Sequence, residues 1–243
     1  MKKTVLITGA SGGIGSEIAR KFAKLDYNVV ICYNQNKGSA DRLISELKKL
    51  GVDAISVQAD VSDENQVENL FAEAEKAFGG VDVLINNAGI SQIKMINDVT
   101  PEEWDKMFAV NTKSAYLCSR RALSYMVRQH FGRIINISSM WGICGASCEV
   151  PYSASKAALH GFTKALAKEL APSGITVNCI CPGLIDTAMN AHLSDEDMAE
   201  FINEIPVMRI GKPEEIAHAC AFFADENAGY VTSQILAVDG GIT

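Results

Sequence analysis

The chain has 243 residues, a net charge of −7 and 48% hydrophobic residues. This length and apolar content suit the core of one α/β domain, so we expect residues 1–243 to form a single domain. The acidic balance argues against nucleic acid or an anionic membrane surface as the main partner. No stretch reaches the about 20 consecutive apolar residues that span a bilayer.

The seven cysteines indicate a reducing compartment. They form no Cys-x-x-Cys pair, and several lie in apolar patterns, where a free cysteine acts as a small hydrophobe. The N-terminal apolar run is also too short for a signal peptide, so we expect a cytoplasmic location. Cys144 and Cys148 lack a suitably spaced histidine or acidic partner, and no metal site is expected.

Strand-like and helix-like segments alternate along the chain. Strands are predicted at Thr4–Thr8, Asn28–Tyr33, Ala54–Gln58, Val81–Asn86, Arg133–Ser138 and Ile175–Cys181. Helices are predicted at Ile14–Lys24, Ser39–Leu50, Glu64–Phe78, Pro101–Arg128 and Ser153–Ala171, with another starting near Pro213. Several strands are continuously apolar, as in strands covered on both faces. Repeated βα units predict an α/β fold with a Rossmann-type, doubly wound parallel sheet flanked by helices.

The segment Asp186–Pro206 interrupts this alternation. It is polar, acidic and contains methionine, and it lies between the sixth strand and the helix near Pro213. Long insertions in compact domains are often binding loops or lids. We expect a substrate loop at about 186–206, and a solvent-exposed pair of helices is the alternative.

A glycine-rich loop joins the first strand to the first helix. Glycines at this place permit a tight turn and a close approach of the backbone to a pyrophosphate, while the helix N-terminus offers free N–H groups. The sequence lacks the Lys-Ser/Thr that ends a triphosphate-binding loop, which argues against ATP chemistry. The predicted dinucleotide-binding residues of this loop are Gly9, Ser11, Gly12, Gly13, Ile14 and Gly15.

The end of the second strand bears on the choice between the two nicotinamide cofactors. An acidic residue there binds the ribose 2′-hydroxyl of NAD(H), whereas a basic or neutral polar group accepts the 2′-phosphate of NADP(H). The strand ends at Tyr33-Asn34, and Lys37 follows shortly after. The absence of a carboxylate at this position favours NADP(H), with Asn34 as a cofactor-binding residue.

Tyr152 and Lys156 form a pair suited to proton transfer. Their i, i+4 spacing in an Ala-rich helical run places both side chains on one face of the helix. A free tyrosine has a pKa near 10, and a neighbouring cation lowers that value. Tyr152 is therefore a candidate general acid or base.

With these motifs the chain resembles the classical type of the short-chain dehydrogenase/reductase family. The resemblance covers essentially the whole chain and rests on motifs that occur in the family's order. These motifs are Thr8–Gly15, Asp60-Val61, Asn86-Asn87-Ala88-Gly89, Asn111, Ser139, Tyr152 with Lys156, Pro182-Gly183 and Thr187.

The resemblance implies a nicotinamide cofactor held by three further motifs. Asp60 and Val61 would bind the adenine. Asn87, Ala88 and Gly89 would line the ribose and backbone side of the cofactor. The nicotinamide would be positioned by residues of the motif after the sixth strand, namely Pro182, Gly183, Ile185 and Thr187.

The resemblance also implies the catalytic roles. Ser139, chosen over Ser138 for its spacing to the tyrosine, would hold the substrate carbonyl, and Tyr152 would deliver a proton as hydride arrives. Lys156 would hold the nicotinamide ribose and lower the tyrosine pKa. Asn111 would retain a water in a relay from Lys156 to solvent.

Within the family the chain is most similar to the bacterial 3-oxoacyl-[acyl-carrier-protein] reductases. The similar stretches are Gly132–Ser139, Gly174–Asn178 and Val238–Gly241. Those reductases usually carry basic residues that dock the acidic carrier protein, one of them just before the Gly-Ile of the sixth strand. This chain has Ser173 there and keeps only Arg128 and Arg133 nearby.

The segment between Ser139 and Tyr152 supports an alternative substrate. It resembles a paralogue in Gram-positive bacteria that reduces a 5-aminopentanone group on elongation factor P. Trp141 and Glu149 would line the substrate side, where a carboxylate pairs with the amine of such a substrate. The other interpretation is that Trp141 is a hydrophobic wall and Glu149 a solvated charge.

Two further expectations concern catalysis and assembly. A non-catalytic NADP(H)-binding protein of this fold typically lacks the tyrosine or the lysine, and this chain has both. The resemblance implies a homotetramer that pairs through the predicted helices Pro101–Arg128 and Ser153–Ala171 and near the C-terminal strand. The apolar residues of those helices would equally serve a core: Phe108, Tyr116, Leu117, Leu159, Phe162 and Leu166.

Overall fold

The computed structural model describes residues 2–190 and 194–243, without the side chains at 189 and 195. Its strands are β1 (Thr4–Ile7), β2 (Asn28–Tyr33), β3 (Ala54–Gln58), β4 (Val83–Asn86), β5 (Gly132–Ile137), β6 (Ile175–Pro182) and β7 (Ile235–Val238). The predicted strands agree with the observed ones to within two residues at each end. The four-residue β7 is the C-terminal strand, for which the sequence pattern indicated no bounds.

All seven strands form one parallel sheet in the order β3-β2-β1-β4-β5-β6-β7. β1 pairs on one side with β2, where Leu6 lies opposite Val30, and on the other with β4, where Leu6 lies opposite Leu84. The chain therefore changes direction across the sheet at β1, and the loops after β1 and β4 lie beside this switch point. In open sheets of this kind, ligands bind in the crevice at that switch point.

Among the described residues there are nine α-helices, most of which pack on the two faces of the sheet. They are α1 (Gly13–Lys24), α2 (Lys37–Lys49), α3 (Glu64–Phe78), α4 (Pro101–Phe108), α5 (Ser114–Gln129), α7 (Val150–Leu170), α8 (Asp195–Glu204) and α9 (Pro213–Ala224), with the four-residue α6 (Trp141–Cys144) before α7. Among the described residues, none of the helices combines the length and the apolar character that a membrane span requires.

The predicted helix Pro101–Arg128 is divided by a wider π-helical turn. The predicted N-terminus of α4 is correct, since Thr100 and Glu103 form a reciprocal capping box with Pro101 in the first turn. A π-helical segment at Ala109–Lys113 then separates α4 from α5. The chain stays helical through this segment, since Phe108 and Ser114 on either side keep right-handed helical angles. The π-helical turn itself was not predicted, because one extra residue in a turn does not alter the apolar pattern enough to be seen in sequence. Such segments are frequent at functional sites.

Two apolar layers lie on the two faces of the sheet. Along β1, Val5 and Ile7 face the layer that contains Phe22 of α1, whereas Leu6 faces the layer that contains Phe71 of α3. This alternation follows from the two-residue period of a strand, and it explains why β1 is apolar throughout. The sheet is thus covered on both faces, and its carboxyl-terminal edge is left for the loops that form the site.

Candidate active site

A cleft of about 930 Å³ opens at the carboxyl ends of the strands, beside the switch point. Its volume lies in the upper range of small-molecule and cofactor sites. The predicted residues that line it are Gly9, Gly12, Gly13, Ile14, Asn87, Ala88, Gly89, Ser139, Trp141, Glu149, Tyr152, Lys156, Pro182, Gly183, Ile185 and Thr187. The predicted residues outside this lining are Ser11, Gly15, Asn34, Asp60, Val61 and Asn111.

The glycine loop is held closely against the loop after β4. Gly9 has φ +65°, and a Cβ there would lie 2.9 Å from the Cα of Ala88, so both the turn and the packing require glycine. Asn87 Nδ2 donates to the carbonyls of Thr8 and Gly9 at 2.9 and 3.1 Å. Thr8 Oγ1 accepts from the N–H groups of Asn87 and Ala88, both at 3.0 Å. Thr8 and Asn87 thus join the two loops at the switch point.

The glycine-rich end of the cleft fits a dinucleotide phosphate. A Cβ at Gly12, the N-cap of α1, would meet no atom within 4 Å. Gly12 offers no side-chain cap, and the first turn of α1 has no acidic residue. The first N–H groups of α1 and the positive end of its dipole are therefore ready for an anion.

The residues predicted to hold the adenosine side lie beyond the rim of the cleft. Asn34 is exposed at the end of β2, and Lys37 forms an ion pair with Asp41 at 2.6 Å. The Asp60 carboxylate caps its own turn, because Oδ1 accepts from Ser62 N and Ser62 Oγ at 2.9 and 2.7 Å.

Ser139, Tyr152 and Lys156 lie together on the opposite wall of the cleft. Ser139 follows the end of β5, and Tyr152 is the third residue of α7, which Val150 begins. The exposed fractions of Ser139, Tyr152 and Lys156 are 7%, 8% and 3%. Ser139 Oγ accepts from Trp141 N at 3.2 Å, and Lys156 Nζ donates to the carbonyl of Ile137 at 2.8 Å.

Burial dominates the ionisation of this group. It raises the pKa of Tyr152 to about 12, although the hydrogen bond with Ser139 acts in the opposite direction and the Glu149 charge adds to the rise. Burial also lowers the pKa of Lys156 to about 8. Contrary to the sequence-based expectation, the net tyrosine pKa is raised, because burial outweighs any lowering by Lys156, whose Nζ bonds to Ile137 and lies 5.7 Å from the centre of the Tyr152 ring. Tyr152 is therefore protonated at neutral pH.

Asn111 occupies the π-helical segment and holds the loop after β4. Its Oδ1 accepts from Ile90 N at 2.8 Å, and its Nδ2 donates to Ile90 O at 2.9 Å and to Ser155 Oγ at 3.0 Å. The wider turn directs this amide between that loop and α7. The side chain thus has a positioning role that sequence reasoning did not identify, and the water relay stays a prediction.

The segment Asp186–Pro206 borders the cleft. Thr187 and Asn190 line it from a short 3-10 turn, and Phe201 of α8 lines it with its ring centroid 6.1 Å from that of Trp141. Sequence reasoning did not single out Phe201, because its contact with Trp141 joins distant parts of the chain. Residues 191–193 of the predicted substrate loop lie outside the described residues.

His160 is a further residue near the site that the sequence analysis missed. It continues the stripe of Tyr152 and Lys156 by one more helical turn. Its Nε2 lies 2.9 Å from Ser138 Oγ and 3.2 Å from Cys181 Sγ. The hydrogen bond with Cys179, together with His160, lowers the pKa of the Cys181 thiol well below its usual range.

Comparisons with known proteins agree with this architecture. Residues 9–243 match the family model described as Enoyl-(Acyl carrier protein) reductase. The 3-oxoacyl-[acyl-carrier-protein] reductase FabG of Staphylococcus aureus (strain Mu50 / ATCC 700699) is 40% identical over 242 residues, covering 100% of this chain and 98% of the relative. The uncharacterized oxidoreductase YmfI of Bacillus subtilis (strain 168) is 43% identical over 242 residues and 99% of each chain. A 3-oxoacyl-[acyl-carrier-protein] reductase of Synechocystis is 40% identical over 241 residues, 99% of this chain and 96% of the relative.

Proposed function

Since the chain belongs to the short-chain dehydrogenase/reductase family, whose members are oxidoreductases acting on carbonyl or alcohol groups, we propose that it is an NADP(H)-dependent 3-oxoacyl-[acyl-carrier-protein] reductase. The observation that carries this proposal is the meeting of Ser139, Tyr152 and Lys156, all nearly buried, on one wall of the cleft. Lys156 lies one helical turn from Tyr152. The names of the two acyl-carrier-protein reductases among the relatives support the substrate class.

NADP(H) is the proposed cofactor. The phosphates would lie against Gly12, Gly13 and the start of α1, where N–H groups have no side-chain cap. The end of β2 offers the neutral Asn34 and the nearby ammonium of Lys37 to a 2′-phosphate. Binding of that phosphate to Lys37 would compete with the ion pair to Asp41.

The chain's own residues would hold the substrate oxygen and supply its proton. A bound nicotinamide supplies the hydride. Ser139 Oγ donates a hydrogen bond to the substrate carbonyl, and Tyr152 Oη transfers its proton to that oxygen as negative charge develops there. Lys156, charged below its pKa of about 8, stabilises the resulting phenolate. The nearly complete burial of the three side chains strengthens each of these interactions.

The segment at about 186–206 is proposed as the substrate loop. It contributes Thr187, Asn190 and Phe201 to the lining of the cleft, and Phe201 faces Trp141. The two rings would form an apolar wall against an acyl chain. The exposed Ile93, another lining residue, continues that wall.

Of Arg128 and Arg133, the basic residues that the chain keeps near the expected docking position, only one lies at the surface. Arg133 is 3% exposed on β5, and it donates to the backbone carbonyls of Gly132, Gly174 and Asp225. Arg133 is therefore not available for docking, because a guanidinium held by backbone oxygens inside the fold cannot meet a partner. Arg128 is exposed and remains a candidate.

The alternative substrate, a 5-aminopentanone group on elongation factor P, is favoured by one observation. Glu149 lines the cleft and lies close enough to Tyr152 for its charge to raise the tyrosine pKa. A carboxylate that lines the cleft near Tyr152 would attract the amine of such a substrate, whereas an acyl thioester has no group to pair with it.

We also propose a homotetramer. Trp104 of α4 and Tyr116 of α5 are exposed large side chains, at 36% and 44%, on the helices predicted to pair. The sequence did not decide whether Leu117 and Leu159 belong to the core or to an interface. They are 4% and 1% exposed and belong to the core. An interface would therefore use the exposed aromatic residues of these helices.

The reductase mechanism is tested with the variant Tyr152→Phe. Oxidation of NADPH, followed by absorbance with an acetoacetyl thioester as substrate, should slow by about 10²- to 10⁴-fold, the usual contribution of a general acid. NADPH binding, measured by fluorescence, should persist. The matched control is Tyr116→Phe, whose exposed hydroxyl accepts from Arg120 and should be dispensable. Unchanged turnover in Tyr152→Phe would refute the mechanism.

The variant Glu149→Gln separates the two substrates. If the physiological substrate carries an amine, removal of the carboxylate should raise its KM and leave that of an acetoacetyl thioester unchanged. Both substrates, including elongation factor P bearing the ketone, are compared with the same enzyme preparation. Efficient turnover of acetoacetyl-acyl-carrier-protein, together with none of the modified factor, would rule out the alternative.

A further inference from the structure

Three potential metal ligands meet behind the proposed catalytic residues. His160 lies on α7, one turn after Lys156, and Cys179 and Cys181 lie two residues apart on β6, so their side chains point to the same face of the sheet. His160 Nε2 and the two Sγ atoms all lie within 4.8 Å of one another. The described residues that line the cleft do not include these three. These three side chains therefore lie behind the lining of the proposed substrate and cofactor sites, whereas the neighbouring Ser138 belongs to that lining.

The spacing of the three atoms matches tetrahedral coordination. Zn–S bonds of about 2.3 Å and Zn–N bonds of about 2.0 Å place neighbouring ligand atoms roughly 3.5 to 3.8 Å apart. The distance from His160 Nε2 to Cys181 Sγ is 3.2 Å, and every separation among the three atoms lies within 4.8 Å, which is at most about 1 Å above the ideal. Small rotations of the three side chains would bring the ligand atoms to the ideal separation.

The chemical types of the donor atoms favour Zn²⁺ over Mg²⁺ and Ca²⁺. Imidazole nitrogen and thiolate sulfur suit Zn²⁺, whereas Mg²⁺ and Ca²⁺ prefer oxygen ligands. Cys179 and Cys181 are both 0% exposed, so an ion there must not bring net charge into the interior. Two thiolates balance one divalent cation, which meets that condition.

Ser138 supplies a fourth donor. Its Oγ lies 2.9 Å from His160 Nε2 and is itself buried, with 3% of the residue exposed. We propose that His160, Cys179 and Cys181 form a Zn²⁺ site, with the Ser138 hydroxyl oxygen as the fourth ligand. The ion takes the lone pair of Nε2 in the neutral imidazole, and the two thiols release their protons on binding.

This site departs from the expectation of no metal ion. That expectation considered only Cys144 and Cys148 as candidate ligands. The folded chain instead brings a helix residue against alternate residues of a strand. The three ligands lie 19 and 2 residues apart along the chain, as the numbers His160, Cys179 and Cys181 show, and such a spacing matches none of the short zinc motifs.

Metal binding is expected to inhibit the enzyme. Ser138 Oγ donates to the carbonyl of Lys156 at 2.9 Å, and Ser138 directly precedes Ser139. An ion that draws this hydroxyl away shifts both the turn of α7 that carries Lys156 and the strand end that carries Ser139. This consequence rests on the proposed reductase function, whereas the metal site itself does not.

Zn²⁺ binding to the full-length protein tests the proposal. The chelator-treated protein is titrated with Zn²⁺ in competition with a chromophoric chelator, and with Co²⁺ to record thiolate-to-metal absorption. We expect one high-affinity ion per chain. Cys181→Ser and His160→Gln should each weaken the affinity by more than about 100-fold, since even the loss of an outer partner costs 10- to 100-fold. Zn²⁺ should also raise the unfolding temperature of the wild type and leave that of Cys181→Ser unchanged.

The paired control removes the two cysteines outside the core. Cys144 is exposed and Cys148 is partly exposed, and the double variant Cys144→Ser/Cys148→Ser should bind Zn²⁺ as the wild type does. If Cys181→Ser does not fold, His160→Gln carries the test, because His160 is only half-buried. The proposal is overturned if the wild type takes up no Zn²⁺, if the affinity of His160→Gln is unchanged, or if binding is lost with Cys144 and Cys148. Inhibition by Zn²⁺ that is absent in His160→Gln would establish the link to catalysis.

Discussion

At the scale of residues, burial decides how Tyr152 and Lys156 ionise. Their i, i+4 spacing indicates a lowered tyrosine pKa, but burial disfavours both charged forms, so the tyrosine pKa rises to about 12 and the lysine pKa falls to about 8. Tyr152 is consequently protonated at neutral pH, the state that the proposed proton transfer to a carbonyl oxygen requires. The reverse reaction, oxidation of an alcohol, requires the Tyr152 phenolate, so it would be efficient only where that phenolate is stabilised.

The difference in stability between the wild type and Lys156→Met should depend on pH. The lysine pKa is about 8 in the folded state, against 10.5 when unperturbed. Between these values the unfolded chain binds the extra proton, so the cost of burying the charge is present below pH 8 and is relieved as the pH rises to 10.5. The free energy of unfolding of the wild type should rise by about 3 kcal/mol relative to the variant over that interval.

Urea unfolding at both ends of the interval measures this change. Taking the difference between the two proteins cancels the titration of all other groups. Parallel pH profiles for wild type and Lys156→Met would contradict the buried, shifted lysine. The variant should also lose reductase activity at every pH.

At the scale of elements, the junction of β1 and α1 is built around close backbone contact. A Cβ at Gly15 would lie 2.6 Å from the carbonyl oxygen of Gly9 and 2.7 Å from Asn87 Nδ2. Helix α1 can therefore pack against the glycine loop only because this side chain is absent. A Cβ at Gly161, within α7, would meet no atom within 4 Å, so the packing around α7 does not require glycine at this position.

Substitution of these two helical glycines should give opposite results. Gly161→Ala should raise the free energy of unfolding by about 0.5 to 1 kcal/mol, because alanine loses less conformational entropy in a helix. Gly15→Ala should lower it by about 1 to 3 kcal/mol through overpacking and weaken cofactor binding. Thermal and urea unfolding of both variants provide the measurement. A stabilised Gly15→Ala would show that the loop is less tightly packed than described.

At the scale of the whole molecule, the order of the parallel strands creates the site. The glycine loop after β1 and the loop after β4 lie side by side where the strand order reverses, and the ends of β5 and β6 form the other wall of the cleft. Loops that are far apart in sequence thus share one crevice. The segment bearing Phe201 covers part of it.

Cofactor binding should stabilise the entire fold by mass action. A ligand at 100 times its Kd raises the free energy of unfolding by about 2.7 kcal/mol. At equal concentration, NADPH should raise the unfolding temperature more than NADH does, because the end of β2 carries no carboxylate. A greater shift with NADH would contradict the proposed preference. Lys37→Ala should reduce the difference between the two, with the exposed Lys76 replaced by alanine as the control.

The sequence by itself determined the α/β class, the bounds of most elements and the candidates for the chemistry. It could do so because helical and strand periodicities are local, and because Gly9 and Pro101 mark backbone requirements that are read within one turn. The motif order then indicated the family. These features depend on neighbouring residues, which the sequence displays directly.

Tertiary structure alone decided the environment of each group. The pKa values of Tyr152 and Lys156, the burial of Arg133 among backbone carbonyls and the π-helical turn at Asn111 all depend on contacts between distant segments. The meeting of His160 with Cys179 and Cys181 has the same origin. Desolvation and packing arise only when the helices close over the sheet, so no local pattern encodes them.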